Sequence, residues 1–356
     1  MTIHFQAGGL PVLIGSLPLR DHEAATDFVL QYTPEIPLWV QLPSYGQERM
    51  VEQFMAGLPG LCTTDGKTYV DTGCQGFDNE LLEFYEEYMA VVEGRENIAD
   101  SRFILDPSSA RGFFVLINRM QQAAPLPIAL KGQVTGPLTF GTGIADHTGA
   151  AIYYNLQMRD ALVKLLALKA RWQVQQLSNF GRPVIIFIDE PAMAGVGSSE
   201  FTSLSNAEIS QCLEEVVESI HAAGALAGIH ICANTDWSLV LDSSIDIINF
   251  GAYSYFDRFI LYSDQIKMFL KSGRILAWGI VPTLKPEDIE QATTESLVDQ
   301  WTENAEKITS LGIEWTDLIS QSLITPSCGM GSLSVDHATK VLKLTQAVSE
   351  KVREIA

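Results

Sequence analysis

The stretch "PVIIFIDEP", residues 183–191, decides the fold: five apolar residues, Val184 to Ile188, run unbroken into the acid pair Asp189-Glu190 and a proline. A half-exposed strand alternates apolar and polar residues. An unbroken β-branched run is what a strand covered on both faces requires, and that is the environment of a parallel sheet. Similar runs occur at Val12–Gly15, Ile36–Leu42, Pro127–Val134, Leu226–Ile231, Ile245–Phe250, Ile275–Gly279 and Ser322–Thr325. Helical periodicity fills the intervals, at about 149–179 (Ile152, Leu156, Leu162, Leu165, Leu166), 206–223 with Ser205 or Asn206 as cap, 258–271, 286–311 and 334–353. Strand and helix alternating through eight runs predict an α/β chain folded as a single (β/α)8 TIM barrel over residues 1–356. A doubly wound open sheet is the alternative, but no glycine-rich phosphate-binding turn follows the first run.

One connection is far too long for a βα unit: residues 44–126 separate the second and third runs. Inside it, Gly60–Val70 reads as a hairpin turning at Asp65-Gly66, and helical patterns follow at about 77–93 and 108–123. The expectation is a long rim insertion between strands 2 and 3. A net charge of -20, from 23 Lys and Arg against 43 Asp and Glu, argues against a nucleic-acid or anionic-membrane partner. No apolar run approaches the ~18 residues of a membrane span, and Met1–Phe5 lacks the basic start of a signal peptide, so a cytoplasmic protein is expected. Five cysteines do not make a disulfide scaffold in a chain of 356 residues.

A barrel of this kind does its chemistry at the C-terminal ends of its strands. Those ends read, in order, Ser16, Gln41, Gln133-Val134-Thr135, Asp189-Glu190, His230 with Cys232, Asn249, and Cys328. In "GIHICAN", residues 228–234, His230 and Cys232 lie two apart, so a strand sends both side chains to one side, near enough to share an ion. Alone, the pair also reads as a satisfied core histidine beside a buried cysteine. Cys328, in "TPSCGMG" at 325–331, adds a third soft ligand at the same mouth. His-Cys-Cys fits one zinc ion with three protein ligands and an open fourth position, as catalytic zinc requires. Cys62, Cys74 and Cys212 read as structural, and His4, His22, His147, His221 and His337 as surface or cap residues. Asp189-Glu190-Pro191 has a plain reading as well, an acid pair opening a helix start before a rigid loop. Zinc with two thiolate ligands is a poor activator of water and well suited to keep an incoming thiol nucleophilic, which points to S-alkylation.

His-x-Cys with a distant third cysteine, together with Ile14-Gly15-Ser16, Gln133-Val134-Thr135-Gly136-Pro137, Ile188-Asp189-Glu190-Pro191-Ala192 and Pro326-Ser327-Cys328-Gly329, resembles the catalytic domain of cobalamin-independent methionine synthase. Its relatives are the zinc-dependent methylcobalamin:thiol methyltransferases, which use homocysteine or coenzyme M and share the uroporphyrinogen decarboxylase barrel. The resemblance extends over essentially the whole chain and is strongest from residue 183 onward. It implies His230, Cys232 and Cys328 as zinc ligands and catalytic centre. Ser16 and Asp189 would hold the amino-acid part of the thiol, with Glu190 and Gln133 as further substrate-binding candidates.

Three departures from that family bear on the methyl donor and the thiol. Where the synthases place a glutamate as fourth zinc ligand, Ile247-Ile248-Asn249-Phe250-Gly251 offers Gly251. Where they place a histidine that helps the folate leaving group accept its proton, Gly279-Ile280-Val281-Pro282 offers Val281. Their second carboxylate near the substrate amine is missing ahead of Met50-Val51-Glu52, where Ser44 or Gln47 stands. Methylcobalamin needs no proton-donating histidine of that kind, and the missing carboxylate weighs against strict homocysteine specificity. The resemblance therefore implies methyl transfer from a methylated corrinoid, carried by a partner protein docked at the rim, to a thiol such as homocysteine, in methionine biosynthesis. The alternatives are a minimal folate-dependent synthase, a coenzyme M-type acceptor, a porphyrinogen decarboxylase-like enzyme, and a non-catalytic zinc- or corrinoid-binding module. The decarboxylase needs an arginine-rich segment near the first strand, and Arg20 stands alone there.

Overall fold

The computed structural model describes residues 5–196 and 204–355. Its strands are β1 (Leu10–Pro11), β2 (Leu61–Thr64), β3 (Lys67–Val70), β4 (Leu130–Thr135), β5 (Val184–Asp189), β6 (Leu226–Ile231), β7 (Ile247–Phe250), β8 (Ile275–Val281) and β9 (Ser322–Pro326). Seven of them form one curled parallel sheet in the order β1-β9-β8-β7-β6-β5-β4. β2 and β3 make a separate antiparallel hairpin, with Asp65 and Gly66 at φ of 52° and 76° as a two-residue hairpin turn needs. The insertion also carries the helices Phe77–Val92 and Arg111–Gln122.

The fold is thus α/β and TIM-barrel-like, but the eight-stranded closed barrel expected from the sequence is corrected to seven paired strands. Residues 36–42 form no strand. They touch their neighbours through isolated parallel bridges, Leu38 with Lys131 and Gln41 with Ser16. Lys131 N donates to Pro37 O at 3.0 Å and Gln41 N to Gly15 O at 3.1 Å. Pro34, Pro37 and Pro43 lack N–H donors, so this stretch cannot sustain a regular ladder. β1 covers Leu10–Pro11, just ahead of the 12–15 run that the sequence suggests as the strand.

Local capping sets several helix boundaries. The helix predicted from 149 begins at Leu156, because the Asn155 side chain accepts from Gln157 N and Met158 N. The helix Asn206–Ala222 starts from Ser205, whose hydroxyl and the Glu208 carboxylate cap each other's backbone. The 286–311 pattern divides into Pro286–Gln291 and Thr294–Thr309, because Thr293 caps the second. The 258–271 pattern likewise divides into Ala252–Phe259 and Ser263–Lys271, joined by the short turn Ile260–Tyr262. Val335–Glu354 is capped by Ser334. No helix among the described residues is long and apolar enough to cross a membrane.

Period two then sorts the side chains. Ile185 and Phe187 pack with Leu10, Val12, Ile247, Ala277 and Leu323 in a small cluster enclosed by the sheet, while Val184, Ile186 and Ile188 face the surrounding helices. The same alternation carries past the enclosed cluster toward the C-terminal mouth. Lys131 and Gln133 on β4, Asp189 on β5, His230 at the end of β6, Asn249 on β7 and Thr325 on β9 share the inward parity. An apolar floor and a polar upper layer result, and the polar layer is the site.

Candidate metal centre

His230 sits beside Asp189 and Asn249 in the sheet register, and Cys232 follows β6 by one residue. Cys328 follows β9, which β7 and β8 separate from β6 in the sheet order. Curling of the sheet closes that gap. One ring nitrogen of His230 and the sulfurs of Cys232 and Cys328 all lie within 4.8 Å of one another. Tetrahedral zinc with bonds of about 2.0–2.3 Å needs ligand atoms roughly 3.5–3.8 Å apart, a spacing that lies within this bound.

The tautomer of His230 follows from its neighbours. Asn249 Nδ2 donates to Ala277 O at 2.9 Å and to Thr325 Oγ1 at 2.7 Å. A backbone carbonyl only accepts, so Asn249 Oδ1 is the end turned to His230 Nδ1, which must carry the proton of their hydrogen bond. In the neutral ring Nε2 is then the nitrogen with the lone pair, and it is fully buried with no hydrogen-bond partner among the described residues. A buried acceptor with nothing to accept is an atom awaiting a ligand, and two sulfurs stand beside it. The donor set therefore fits a soft or borderline divalent ion such as zinc.

The sulfurs are electrostatically unequal. Their mutual hydrogen bond, joined by His230, holds the Cys232 thiol well below its ordinary value, against its burial. The same hydrogen bond and its own burial push Cys328 up. Burial opposes protonation of His230, but Cys232, Asp189 and Asn249 outweigh it, and its pKa is raised. The first thiolate forms readily, and the pair resists losing a second proton until a cation arrives.

A cavity of about 280 Å³ opens on this group, lined by Ser16, Gln41, Pro43, Met50, Asp189, His230 and Cys328 among others. Asp189 is 3% exposed, and its Oδ1 has no hydrogen-bond partner. Burial pushes its carboxyl up to about 6, opposed by His230 and by Lys131. Ser16 Oγ accepts from Gly331 N at 3.1 Å, which leaves the hydroxyl hydrogen free. Gln133 lies deeper. Its Nε2 donates to Trp39 O at 2.9 Å, and its Oε1 is buried and unpaired.

Glu190 is turned elsewhere. It has the opposite parity to Asp189, and its carboxylate accepts from Leu138 N at 2.7 Å, Thr139 N at 2.9 Å and Thr139 Oγ1 at 2.5 Å. Those donors open the helix Pro137–Gly143, so Glu190 anchors that helix N-terminus and does not reach the cavity.

Three residues near the site escaped sequence reasoning. Lys131 is fully buried, donates to Ile14 O at 2.5 Å and lies 4.4 Å above the Phe187 ring, and burial lowers it to about 8. A lysine inside an inward-facing strand run was the available signal. His22, read from sequence as a surface or cap residue, is instead buried on Glu48, 2.8 Å away, and stacked on Tyr45. Glu48 accepts Leu42 N at 3.0 Å as well, so it braces the loop that brings Pro43 and Met50 to the cavity. Among the other histidines, His147, His221 and His337 pair with Asp71, Asp246 and Glu290 near the surface, and His4 lies outside the described residues. Cys62, Cys74 and Cys212 are free thiols that do not join the metal-ligating group.

No protein-family model matches the chain, and no curated protein matches it. Among solved structures, it is similar to a crystal structure from Listeria monocytogenes that carries the description "Putative Vitamin-B12 Independent Methionine Synthase". The identity is 11%, the TM-score 0.51, and the match covers 94% of this chain and 85% of the other. At that identity the likeness establishes a distant relationship of fold.

Proposed function

We propose that this chain is a zinc-dependent methyltransferase that moves a methyl group from a methylated corrinoid to a thiol such as homocysteine. The observation that carries the reading is the meeting of an orphaned His230 Nε2 with two cysteine sulfurs beside a cavity that also presents Asp189 and Ser16. His230, Cys232 and Cys328 would hold the ion. When bound, zinc with these ligands supplies an open coordination position and stabilises a substrate thiol as thiolate near neutral pH.

Asp189 offers an unpaired carboxylate oxygen to an ammonium group, and Ser16 offers a hydroxyl hydrogen to a carboxylate. Holding a thiol at both its sulfur and its polar end leaves one line of approach for the methyl carbon, which is where most of the rate gain would arise. A cavity of about 280 Å³ is near the lower end for small-molecule sites and suits an amino-acid-sized thiol better than a tetrapyrrole.

Two positions favour the corrinoid as donor. A Cβ at Gly251 would meet the Tyr255 ring at 3.2 Å and Cys232 O at 3.4 Å, and as glycine this position brings no side chain to the ligand group. Val281, fully buried at the end of β8, brings no proton to a leaving group. A folate nitrogen needs such an acid and a corrinoid does not. A separate corrinoid protein would then deliver the methyl group over the rim formed by residues 44–126. A folate donor is the second reading, favoured by the "Vitamin-B12 Independent" description of the Listeria protein.

X-ray absorption of the zinc-loaded protein tests the central claim: two sulfur neighbours should become three when homocysteine is added. An unchanged count sinks it. Methionine formed from methylcobalamin identifies the donor as corrinoid, whereas formation from methyltetrahydrofolate without any corrinoid selects the second reading.

A further inference from the structure

One amide in the cavity lining has an orientation that its neighbours dictate. Ser109 O is a carbonyl and can only accept, so the Gln53 atom 2.6 Å from it is the nitrogen, and Gln53 Oε1 points the other way. Gln41 Nε2 donates to that oxygen at 2.7 Å. Gln41 Oε1 is therefore turned from Gln53 toward Gly15, 2.5 Å from where a Cβ on Gly15 would stand. Ser109 Oγ donates to Gln53 O at 3.2 Å, which ties this relay to the insertion. Among the described residues no group is bonded to Gln41 Oε1, although the residue is only 7% exposed and lines the cavity.

Two acceptor oxygens without donors, Gln41 Oε1 and Asp189 Oδ1, thus belong to one small cavity. A ligand group that satisfies both must bring two or more N–H or O–H donors, and it gains most if it is cationic. An ammonium has three donors and a positive charge; a carboxylate has none and would be repelled by Asp189.

We infer that Gln41 is a specificity-determining residue of this site: its Oε1 joins Asp189 Oδ1 in binding the ammonium of an amino thiol, and thiols lacking that group are rejected. The inference rests on the thiol-binding reading above. A ligand without the amine would leave Asp189 Oδ1 buried and unpaired and Gln41 Oε1 without a donor, and sites built that way discriminate strongly.

Cobalt(II) in place of zinc reports thiol binding through sulfur-to-cobalt charge-transfer absorption, independent of turnover. Homocysteine and its deamino analogue, 4-mercaptobutanoate, are titrated in turn. The unaltered protein should bind homocysteine about tenfold or more tightly than the analogue. Gln41→Met, similar in shape but without the acceptor, should weaken homocysteine about tenfold and leave the analogue unchanged. Gln41→Glu, which restores an acceptor oxygen, should restore the preference. If Gln41→Met does not fold, Gly15→Ala, which places a methyl where Oε1 lies, serves for the same comparison. Equal affinities in the unaltered protein, or a loss in Gln41→Met shared equally by both ligands, overturns the role of Gln41 and leaves the thiol site standing. A spectrum that neither thiol perturbs overturns both.

Discussion

At Asn249 a single carboxamide has its two ends committed, one to Ala277 O and Thr325 Oγ1 and the other to His230 Nδ1. The imidazole is thereby held with Nε2 toward the sulfurs. Asn249→Ala should lower metal affinity about 10–100-fold with the fold intact, measured by competition with a chromogenic chelator. Asp189 poses the opposite problem, a carboxylate kept where burial disfavours its charge. Its carboxyl rises from 3.8 to about 6, so the folded protein retains a proton that the unfolded chain has already lost. The contribution of Asp189 to the stability of the metal-free protein therefore falls as pH rises through that window, by up to about 3 kcal/mol. Asp189→Asn removes the penalty. The variant should be roughly 1–3 kcal/mol more stable than the parent at pH 8 and gain nothing at pH 4, read from urea melts. Equal stability of the two proteins at pH 8 would refute the assignment.

Among the elements, β5 shows how one strand divides two adjacent acids. Ile185, Phe187 and Asp189 follow the inward parity, and Glu190 leaves the strand on the other side to hold the N-terminus of the helix Pro137–Gly143. Glu190→Ala should cost about 1–3 kcal/mol in chemical denaturation, because two backbone N–H groups and a hydroxyl lose their acceptor. Its metal affinity should match the parent's, and a matching loss in metal binding would return Glu190 to the site. From sequence both acids are substrate-binding candidates, although strand parity already separates Asp189 from Glu190. Helical periodicity likewise starts the helix at about 149, passing over the cap that Asn155 offers to Leu156–Ser178. The stretch 36–42 was not legible from hydropathy. Its apolar residues read as a strand, and only the missing donors at Pro34 and Pro37 signal that the ladder fails.

Across the whole molecule, the site is a property of the sheet's curl. The candidate ligands from β6 and from the loop after β9 meet only because the sheet curls, so metal binding should report on the integrity of the curled sheet. A metal that binds the folded chain alone stabilises it by mass action, about 2.7 kcal/mol at a free concentration one hundred times its Kd. Zinc should raise the melting temperature accordingly, a chelator should reverse the gain, and His230→Ala should abolish it; a melting temperature indifferent to zinc would count against the centre. What the sequence by itself determined is local: that the runs from 127 onward are strands, which side of each carries the polar residues, and that the candidate soft ligands are one histidine and two cysteines. Those features depend on neighbours one or two residues apart. Tertiary structure alone decided that His230 Nε2 and two sulfurs converge, that Lys131 lies beneath Asp189, that Gln41 faces the cavity, and that the sheet has seven paired strands. Such relations depend on curvature, register and long-range packing, to which no single stretch of chain has access.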